Sequence, residues 1–204
     1  MNVVIVDYGM GNIKSVVSAL KYCGVKEIRV SSDYNDLKKA DKLILPGVGA
    51  FGQAMKKIKE KEIDLYIKDI VLNKETPILG ICLGMQLLGT SSNEDGYNDG
   101  LGLIDGEVRK FNIKNIRVPH VGFNQVQINN SSRLYDGFSE KQADFYFTHS
   151  FRMTTEKQIN QSMCSYENDF VASFELKNIA GTQFHPELSQ YNGLNLFKNF
   201  IEKF

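Results

Sequence analysis

The stretch that decides the fold is GICLGMQLLG, residues 80–89. Cys82 stands between two glycines directly after the apolar run 78–81, and a helix-like pattern follows it. A sharp strand-to-helix turn with small flanking residues has the form of a nucleophile elbow, which holds a reactive side chain in a strained conformation at the carboxyl edge of a sheet. The alternative is a core cysteine beside two incidental glycines, because cysteine is among the most buried residue types.

Short apolar strands alternate with helical patterns through the first half of the chain. Residues 3–6, 28–30, 43–45 and 78–81 are the candidate strands, and amphipathic helical spacing lies between them. Such βαβ units are right-handed and build a parallel sheet with helices on both faces. The pattern therefore predicts an α/β fold.

Past Gly100 the pattern changes to short β-like pieces separated by turn residues. We expect them to be antiparallel additions to the same sheet or a small side sheet, with an amphipathic helix around residues 194–201 closing the chain. These pieces are residues 108–111, 126–128, 145–147, 170–174 and 179–184. No linker, repeat or low-complexity segment interrupts the sequence, so residues 1–204 are predicted to form one domain.

Charge and cysteine content narrow the classes of function. Lys plus Arg and Asp plus Glu are both 24, so no net field attracts nucleic acid or an anionic membrane. No apolar run approaches the roughly 18 residues of a membrane span, and the N-terminus reads as a buried strand rather than a signal peptide. Three cysteines without paired spacing favour a reducing cytoplasm. Scattered histidines and cysteines predict neither a metal nor a cofactor.

A base for the cysteine must come from three histidines, His120, His149 and His185. His185 follows an apolar strand in QFHPE, and Glu187 comes two residues later, past a proline that stiffens the turn. The pattern predicts a triad in which Cys82 is the nucleophile, His185 the base and Glu187 the group that orients the base. Taken alone, His-Pro-Glu also fits a turn with a surface carboxylate, so the triad depends on the two motifs together.

A glycine-rich turn, LPGVGAFG at residues 45–52, ends another apolar strand. Ligands of open α/β sheets bind outside the carboxyl ends of the strands, so this loop can face Cys82. It lacks the Gly-Lys-Ser/Thr of a phosphate loop and does not match GxGxxG. An oxyanion loop is the functional interpretation, and an ordinary strand-to-helix turn is the alternative.

Four motifs, GICLGMQ, LPGVGAFG, QFHPE and DYGMGN, together resemble the class I (triad-type) glutamine amidotransferases, and specifically the glutaminase subunits of imidazole glycerol phosphate synthase (HisH family). The likeness runs essentially end to end. It includes GLGLIDGEVRKF at 100–111, PHVGFN at 119–124, FYFTHSF at 145–151 and GLNLFKNF at 193–200. GICLGMQ with HPE marks the broad family, and LPGVGAFG is more selective.

The resemblance implies a role for each site residue. Cys82 attacks the side-chain amide of L-glutamine and forms a γ-glutamyl thioester, His185 shuttles the protons and Glu187 holds His185. The amides of Leu83 and of Val48 or Gly49 form the oxyanion hole. The residues implied to line the glutamine pocket are Gln86, Glu94, Tyr146, His149 and Ser150. Of these, His149 is expected to be structural or interfacial rather than a second base.

The family passes its ammonia to a separate (β/α)8-barrel cyclase, so the resemblance implies a heterodimer that works in histidine biosynthesis. Asn12 matches a position near the partner-facing edge. Two positions depart from the pattern: Phe123 replaces a tryptophan and Leu188 replaces a lysine toward the cyclase. The second exchange leaves open a paralogue that serves another synthase, such as one that amidinates surface sugars.

Two further alternatives remain at the level of the sequence. One is a stand-alone γ-glutamyl hydrolase, against which Gln86 and Glu94 speak because they suit a free amino acid. The other is a non-catalytic binding subunit, which an intact triad disfavours, since a coupled triad loses most of its rate when one member is lost.

Overall fold

The computed structural model describes residues 1–112 and 114–204. Its strands are β1 (Asn2–Val6), β2 (Glu27–Ser31), β3 (Lys42–Leu45), β4 (Ile78–Ile81), β5 (Ser91–Ser92), β6 (Asn98–Asp99), β7 (Glu107–Lys110), β8 (His120–Gln127), β9 (Gln142–His149), β10 (Phe151–Thr154), β11 (Ser162–Tyr166), β12 (Asn168–Leu176) and β13 (Ile179–Thr182). Its α-helices are α1 (Ile13–Tyr22), α2 (Tyr34–Lys38), α3 (Phe51–Glu60), α4 (Ile63–Lys68), α5 (Leu83–Leu87) and α6 (Gln190–Lys203). A π-type turn (Asp69–Asn73) and two 3₁₀ turns (Arg133–Tyr135 and Pro186–Leu188) complete the described elements.

A nine-stranded sheet forms the centre of the molecule, in the order β2-β1-β3-β4-β13-β12-β11-β8-β9. The strands from β2 to β13 pair in parallel. The strands from β12 to β9 pair antiparallel, with β12 also antiparallel to β13. This arrangement confirms the predicted α/β fold, a parallel sheet with antiparallel additions in the C-terminal half.

A second sheet of four strands, in the order β10-β7-β5-β6, lies beside the main one. The sequence left open whether the late β-like pieces extend the main sheet or form a side sheet, and both occur. Strands β5 and β6 escaped prediction because each has only two residues, all of them polar. Strand β10 escaped it because its alternating sequence, FRMT, is only four residues long, and β11 because its sequence, SMCSY, lacks a clean alternation of apolar and polar residues.

The apolar core lies on both faces of the main sheet. On β1, Val4 and Val6 belong to the cluster beneath α3 and α4, whereas Val3 and Ile5 belong to the cluster beneath α1 and α6. All four are fully buried, and each contributes about 1.5–3 kcal/mol to the free energy of folding relative to an exposed side chain. A strand buried on both faces is a continuous apolar run in the sequence, which is why β1 could be predicted.

The carboxyl ends of the parallel strands meet at one edge of the sheet. The segments that follow β1, β3, β4 and β13 carry the DYGMGN, LPGVGAFG, GICLGMQ and QFHPE motifs, respectively. The topology therefore brings together four motifs that lie far apart in the chain. Among the described residues, no helix is long and apolar enough to cross a membrane.

Candidate active site

The predicted elbow is present at Cys82. This residue has φ 54° and ψ −110°, between β4 and α5, and its amide donates a 2.7 Å hydrogen bond to the Thr182 carbonyl. A Cβ on Gly84 would stand 1.8 Å from the Leu45 carbonyl oxygen, and a Cβ on Gly80 would stand 2.7 Å from the Gly84 carbonyl oxygen. Both flanking glycines are therefore required, because α5 presses directly against the ends of β3 and β4.

His185 and Glu187 form a buried pair at the end of β13. His185 Nδ1 and Glu187 Oε1 are 2.8 Å apart, and the two side chains are 3% and 1% exposed. The His185 amide donates to the Tyr146 carbonyl at 2.8 Å, and the Ser189 hydroxyl donates to the His185 carbonyl at 2.6 Å. The imidazole is thus fixed through its own backbone as well as through its carboxylate partner.

The proton affinity of His185 is set by competing effects. Burial disfavours the charged ring, but the hydrogen-bonding and charge contributions of Cys82 and Glu187 outweigh burial and raise the pKa of His185. Among the described residues, His185 Nε2 makes no hydrogen bond, and His185 lines the cavity together with Cys82. A protonated imidazole beside a thiolate is the charge state of an activated cysteine.

The glycine-rich loop after β3 packs against the elbow. Tyr8, which is 1% exposed, donates its hydroxyl to the Pro46 carbonyl at 2.8 Å. A Cβ on Gly47 would stand 2.6 Å from that hydroxyl and 2.7 Å from the Gly84 amide nitrogen. Gly49 has φ +101°, a conformation that L side chains rarely adopt. The loop therefore depends on glycine at both positions to lie beside Cys82.

A cavity of about 300 Å³ opens at this edge of the sheet. It is lined by Val48, Gly49, Cys82, Leu83, Gln86, Glu94, Pro119, Thr148, His149, Ser150, Phe151 and His185. The structure thus brings together nearly all of the residues that the sequence assigned to the site. Glu187 lies behind His185. Tyr146 is not among the described residues that line the cavity: its ring packs edge-on against Phe123 at 5.6 Å, and its backbone positions His185.

The predicted glutamine-binding residues are held by hydrogen bonds of their own. Gln86 Nε2 donates to the Phe151 carbonyl and to Gln183 Oε1, each at 2.9 Å. Gln183 Nε2 in turn lies 3.8 Å from Cys82 Sγ. Glu94 Oε2 accepts a 2.8 Å hydrogen bond from the Phe51 amide in the first turn of α3. The cavity therefore has a fixed carboxylate at one side and a fixed amide at its base.

Three residues with contacts to this site were not assigned to it from the sequence: Tyr8, Asn12 and Gln183. Asn12 was expected at the partner-facing edge, and its Nδ2 lies 3.5 Å from Glu187 Oε1. All three fall inside the DYGMGN and QFHPE motifs. Their place in a motif was a signal, but their hydrogen-bond partners lie 38 to 175 residues away and depend on the sheet order.

No group of three His, Cys, Asp or Glu side chains in residues 1–112 and 114–204 is placed to hold a metal ion. Cys23, Cys82 and Cys164 are all free thiols. The groups at the cavity that can take part in covalent or proton-transfer chemistry include the Cys82 thiol and the His185 imidazole.

Known proteins with similar sequences extend over the whole chain. The family model "Glutamine amidotransferase class-I" matches residues 4–204. The "Imidazole glycerol phosphate synthase subunit HisH" of Aquifex aeolicus (strain VF5) is 44% identical, covering 100% of this chain and 97% of that protein. A protein named HisH 1 from Campylobacter jejuni (strain RM1221) is 44% identical over 98% of both chains. A protein named HisH 2 from Vibrio vulnificus (strain YJ016) is 42% identical over 99% of this chain and 94% of that one.

Solved structures support the fold at lower sequence identity. A crystal structure described as a glutamine amidotransferase has a TM-score of 0.77 at 18% identity and covers 98% of this chain and 97% of that one. The structure of PurLQS from Thermotoga maritima has a TM-score of 0.73 at 18% identity, with the same coverage of both chains. The match to the family model and the full-length relatives together show that this chain belongs to the class I glutamine amidotransferases, in the group of the HisH subunits.

Proposed function

We propose that this chain is the glutaminase subunit of imidazole glycerol phosphate synthase. It hydrolyses L-glutamine to glutamate and ammonia and supplies the ammonia to a separate cyclase subunit of (β/α)8-barrel fold. The observation that carries the proposal is the arrangement of Cys82, His185 and Glu187 beside a cavity of about 300 Å³. Relatives that are 42–44% identical over at least 94% of their length and are named as this subunit support it.

The proposed reaction starts with attack of the Cys82 thiolate on the side-chain amide carbon of glutamine. The oxygen takes up the negative charge, which the amides of Leu83 and of Val48 or Gly49 stabilise. Losing one such donor typically costs on the order of 10²–10³ in rate. His185 gives its proton to the departing nitrogen, and the C–N bond breaks to release ammonia and leave a γ-glutamyl thioester on Cys82.

Hydrolysis of the thioester returns the enzyme to its starting state. His185, now neutral, takes a proton from water as the water oxygen attacks the thioester carbon. The C–S bond breaks, glutamate leaves and the proton remains on His185 beside the restored thiolate. Glu187 keeps the Nδ1 proton of His185 in place throughout, because it accepts a 2.8 Å hydrogen bond from that nitrogen.

Recognition of the amino-acid end of glutamine falls to the far side of the cavity. Glu94 lines it, and a carboxylate complements the α-ammonium group of the substrate. Gln86, His149 and Ser150 also line it. We assign Tyr146 a supporting role through its backbone hydrogen bond to the His185 amide. In this proposal residues 1–204 act as one amidotransferase domain in the reducing cytoplasm, for which the free thiols are suited.

A second candidate is a paralogous glutaminase that serves another synthase, such as one that amidinates surface sugars. The observation that favours it is Leu188, which is 40% exposed immediately after the triad, where the family has a lysine facing the cyclase. The names HisH 1 and HisH 2 among the relatives are compatible with more than one such chain in an organism. The two candidates share the chemistry and differ in the partner.

The test is glutamate release from glutamine by the purified protein, alone and with the histidine-pathway cyclase of the same organism and its nucleotide substrate. We expect strong stimulation by that cyclase, and we expect Cys82→Ala to abolish it. The Cys82→Ala protein should still co-elute with the cyclase in size-exclusion chromatography, which shows that the variant folds and docks. Failure of the cyclase to stimulate, where a conventional glutaminase subunit does respond, would contradict the histidine assignment and favour the paralogue.

A further inference from the structure

Two histidines outside the triad face each other across strands β8 and β9. His120 and His149 are register partners in the antiparallel pair, and they are 3% and 6% exposed. The His120 ring stacks between Phe147, at 4.8 Å, and Tyr166, at 3.9 Å. Of the two, only His149 reaches the cavity, and the proposed reaction gives neither ring a proton to transfer.

Hydrogen bonds join the two rings into one chain. His149 Nδ1 is 2.8 Å from the Phe151 carbonyl oxygen, and His149 Nε2 is 3.1 Å from His120 Nδ1. His120 Nε2 is 3.3 Å from Asn124 Nδ2. The Asn124 amide is anchored separately, since its Nδ2 donates to the Ser165 carbonyl at 3.1 Å and its Oδ1 accepts from the Gln125 amide at 2.8 Å.

Both ends of this chain dictate the same tautomers. A carbonyl can only accept, so His149 carries its proton on Nδ1 and must accept at Nε2, which requires a proton on Nδ1 of His120. The Asn124 end gives the same answer, because Nδ2 donates and His120 Nε2 must accept. A second proton on either ring would set two donors against each other. Burial also lowers the pKa of His120 to about 4, and burial outweighs the hydrogen bond to the Phe151 carbonyl and lowers the pKa of His149 to about 3.

This series of hydrogen bonds ends at the Phe151 carbonyl oxygen, which also contacts a residue of the proposed glutamine site. The Phe151 carbonyl that accepts from His149 also accepts from Gln86 Nε2 at 2.9 Å. Gln86 continues to Gln183, and Gln183 continues to the sulfur of Cys82. His149, Phe151 and Gln86 all line the cavity. A shift of the Phe151 carbonyl therefore moves the amide at the base of the site.

We propose that His120 and His149 are positioning residues for glutamine: a pair of neutral imidazoles, both protonated on Nδ1, that hold the Phe151 carbonyl and through it the Gln86 side chain. This inference rests on the proposed glutaminase function. Asn124, at the other end of this series of hydrogen bonds, donates to His120 and so fixes which nitrogens donate and which accept. Neither ring reacts, so the effect falls on substrate binding more than on the chemical step.

Two variants of His120 separate this role from packing. His120→Phe keeps an aromatic ring between Phe147 and Tyr166 but removes the donor to His149. His120→Asn loses the ring but keeps an N–H near the position of Nδ1. Packing alone predicts that Asn is the worse substitute. The positioning role predicts the reverse. In His120→Phe the buried His149 Nε2 loses its donor, so the KM for glutamine should rise about tenfold. In His120→Asn the KM should rise less, and in both variants kcat should change less than KM.

The experiment measures glutamate release against glutamine concentration for the wild-type, His120→Phe and His120→Asn proteins, each with its cyclase partner. Long-range ¹H–¹⁵N correlation spectra of the wild-type protein give the tautomers without any substitution. Nδ1–H on both rings and a higher KM for the Phe variant than for the Asn variant would support the inference. A proton on Nε2 of either neutral ring, or equal or inverted KM values, would overturn it. An inactive wild-type complex would instead count against the proposed function, and the spectra would still decide the tautomers.

Discussion

The parallel and antiparallel halves of the sheet each place a buried histidine on the same cavity, and the two histidines have opposite proton affinities. His185, at the end of a parallel strand, has a raised pKa because Cys82 and Glu187 outweigh the effect of burial. His149, at the end of an antiparallel strand, has its pKa lowered to about 3, chiefly by burial. Its hydrogen-bond neighbours are the Phe151 carbonyl and the His120 imidazole, and neither offsets the free energy of burying a charged ring.

The difference shows that burial alone does not decide whether a histidine can act as a base or acid. Desolvation disfavours the imidazolium in both places, and at His185 the neighbouring Cys82 and Glu187 side chains outweigh it. Two like residues with diverging pKa values mark separate roles. In the proposed mechanism the parallel half thus carries the histidine that transfers protons, and the antiparallel half carries the histidine that positions the glutamine pocket.

Replacing the Glu187 carboxylate should bring the pKa of His185 closer to that of His149, and we expect this change to have the largest effect on activity. In Glu187→Gln, His185 loses the charge that holds its proton and its orientation, so we expect kcat for glutamine hydrolysis to fall by roughly 10²–10⁴. The acid side of the rate profile should also change, because the pKa of His185 falls. The measurement is kcat against pH with the partner present. Asn12→Ala should lower kcat less, since Asn12 makes only a 3.5 Å contact to the same carboxylate. A fall in kcat as large as that of Glu187→Gln would contradict the conclusion that the Glu187 carboxylate, rather than its contact with Asn12, holds His185.

Glycine substitutions test whether the parallel half is the more crowded one. Helix propensity favours alanine over Gly84 in α5 by about 1 kcal/mol, but its Cβ would stand 1.8 Å from the Leu45 carbonyl oxygen. The clash should win and destabilise Gly84→Ala by about 3 kcal/mol or more, with loss of activity. Gly137, in the antiparallel half, has φ +78° and open space around its Cβ position.

Gly137→Ala is therefore the matched control and should cost about 1 kcal/mol, from backbone strain alone. Urea unfolding of both variants gives the two values. Similar losses in free energy of unfolding would show that contact with β3 is not what requires Gly84.

Acid should destabilise the protein through the antiparallel pair. The pKa values of His120 and His149 are lowered to about 4 and about 3 in the folded state, against about 6.5 when unfolded. Below about pH 6.5 the unfolded chain takes up protons that the folded protein does not. The free energy of unfolding therefore decreases as the pH is lowered. Each histidine contributes at most about 1.4 kcal/mol per pH unit. The raised pKa of His185 acts in the opposite direction near pH 6.5 and above, where the unfolded ring loses its proton and the folded ring keeps it, so stability from this group is lost as the pH rises.

Urea midpoints between pH 5 and 7 would measure this slope. His120→Asn removes one titrating ring and should give a shallower dependence on pH than the wild-type protein. An unchanged slope would mean that the His120 ring does not stay neutral in the folded state.

Leu188→Lys should have the smallest effect on this chain by itself. Leu188 is 40% exposed, so its substitution should change the free energy of unfolding by less than about 0.5 kcal/mol. Its effect belongs to the complex, where a restored lysine should strengthen binding to a histidine-pathway cyclase. Titration of that cyclase with each protein measures the change. Weaker binding by Leu188→Lys would indicate a partner surface that prefers the apolar residue.

The parallel half could be predicted from the sequence, and the antiparallel half only in part. Predicted strands at 3–6, 28–30, 43–45 and 78–81 fall within β1 to β4. Strands β1, β3 and β4 are continuous apolar runs because they are buried on both faces, whereas the edge strand β2 was predicted from Ile28 and Val30 alone. The run predicted at 179–184 extends past β13, which ends at Thr182. The interior strand β11 has a mixed sequence and gives no such signal.

The site divides in the same way. Cys82, His185 and Glu187 lie in local motifs, so residue type and spacing predict a triad that the fold then brings to one edge. The His120–His149 contact depends on the register of β8 against β9, across 29 residues of chain. The sequence placed His149 at the pocket through family resemblance alone, and it gave no sign that both of its ring nitrogens are already used.

The most direct test of the central claim is to look for the covalent intermediate on Cys82. The complex with its cyclase is mixed with glutamine, quenched in acid during turnover, digested and analysed by mass spectrometry. The account predicts an adduct of glutamine minus ammonia on the peptide that contains Cys82, absent from Cys82→Ala and from the peptides of Cys23 and Cys164. Glutamate release at the full rate from Cys82→Ala, or an adduct on another residue, would contradict it.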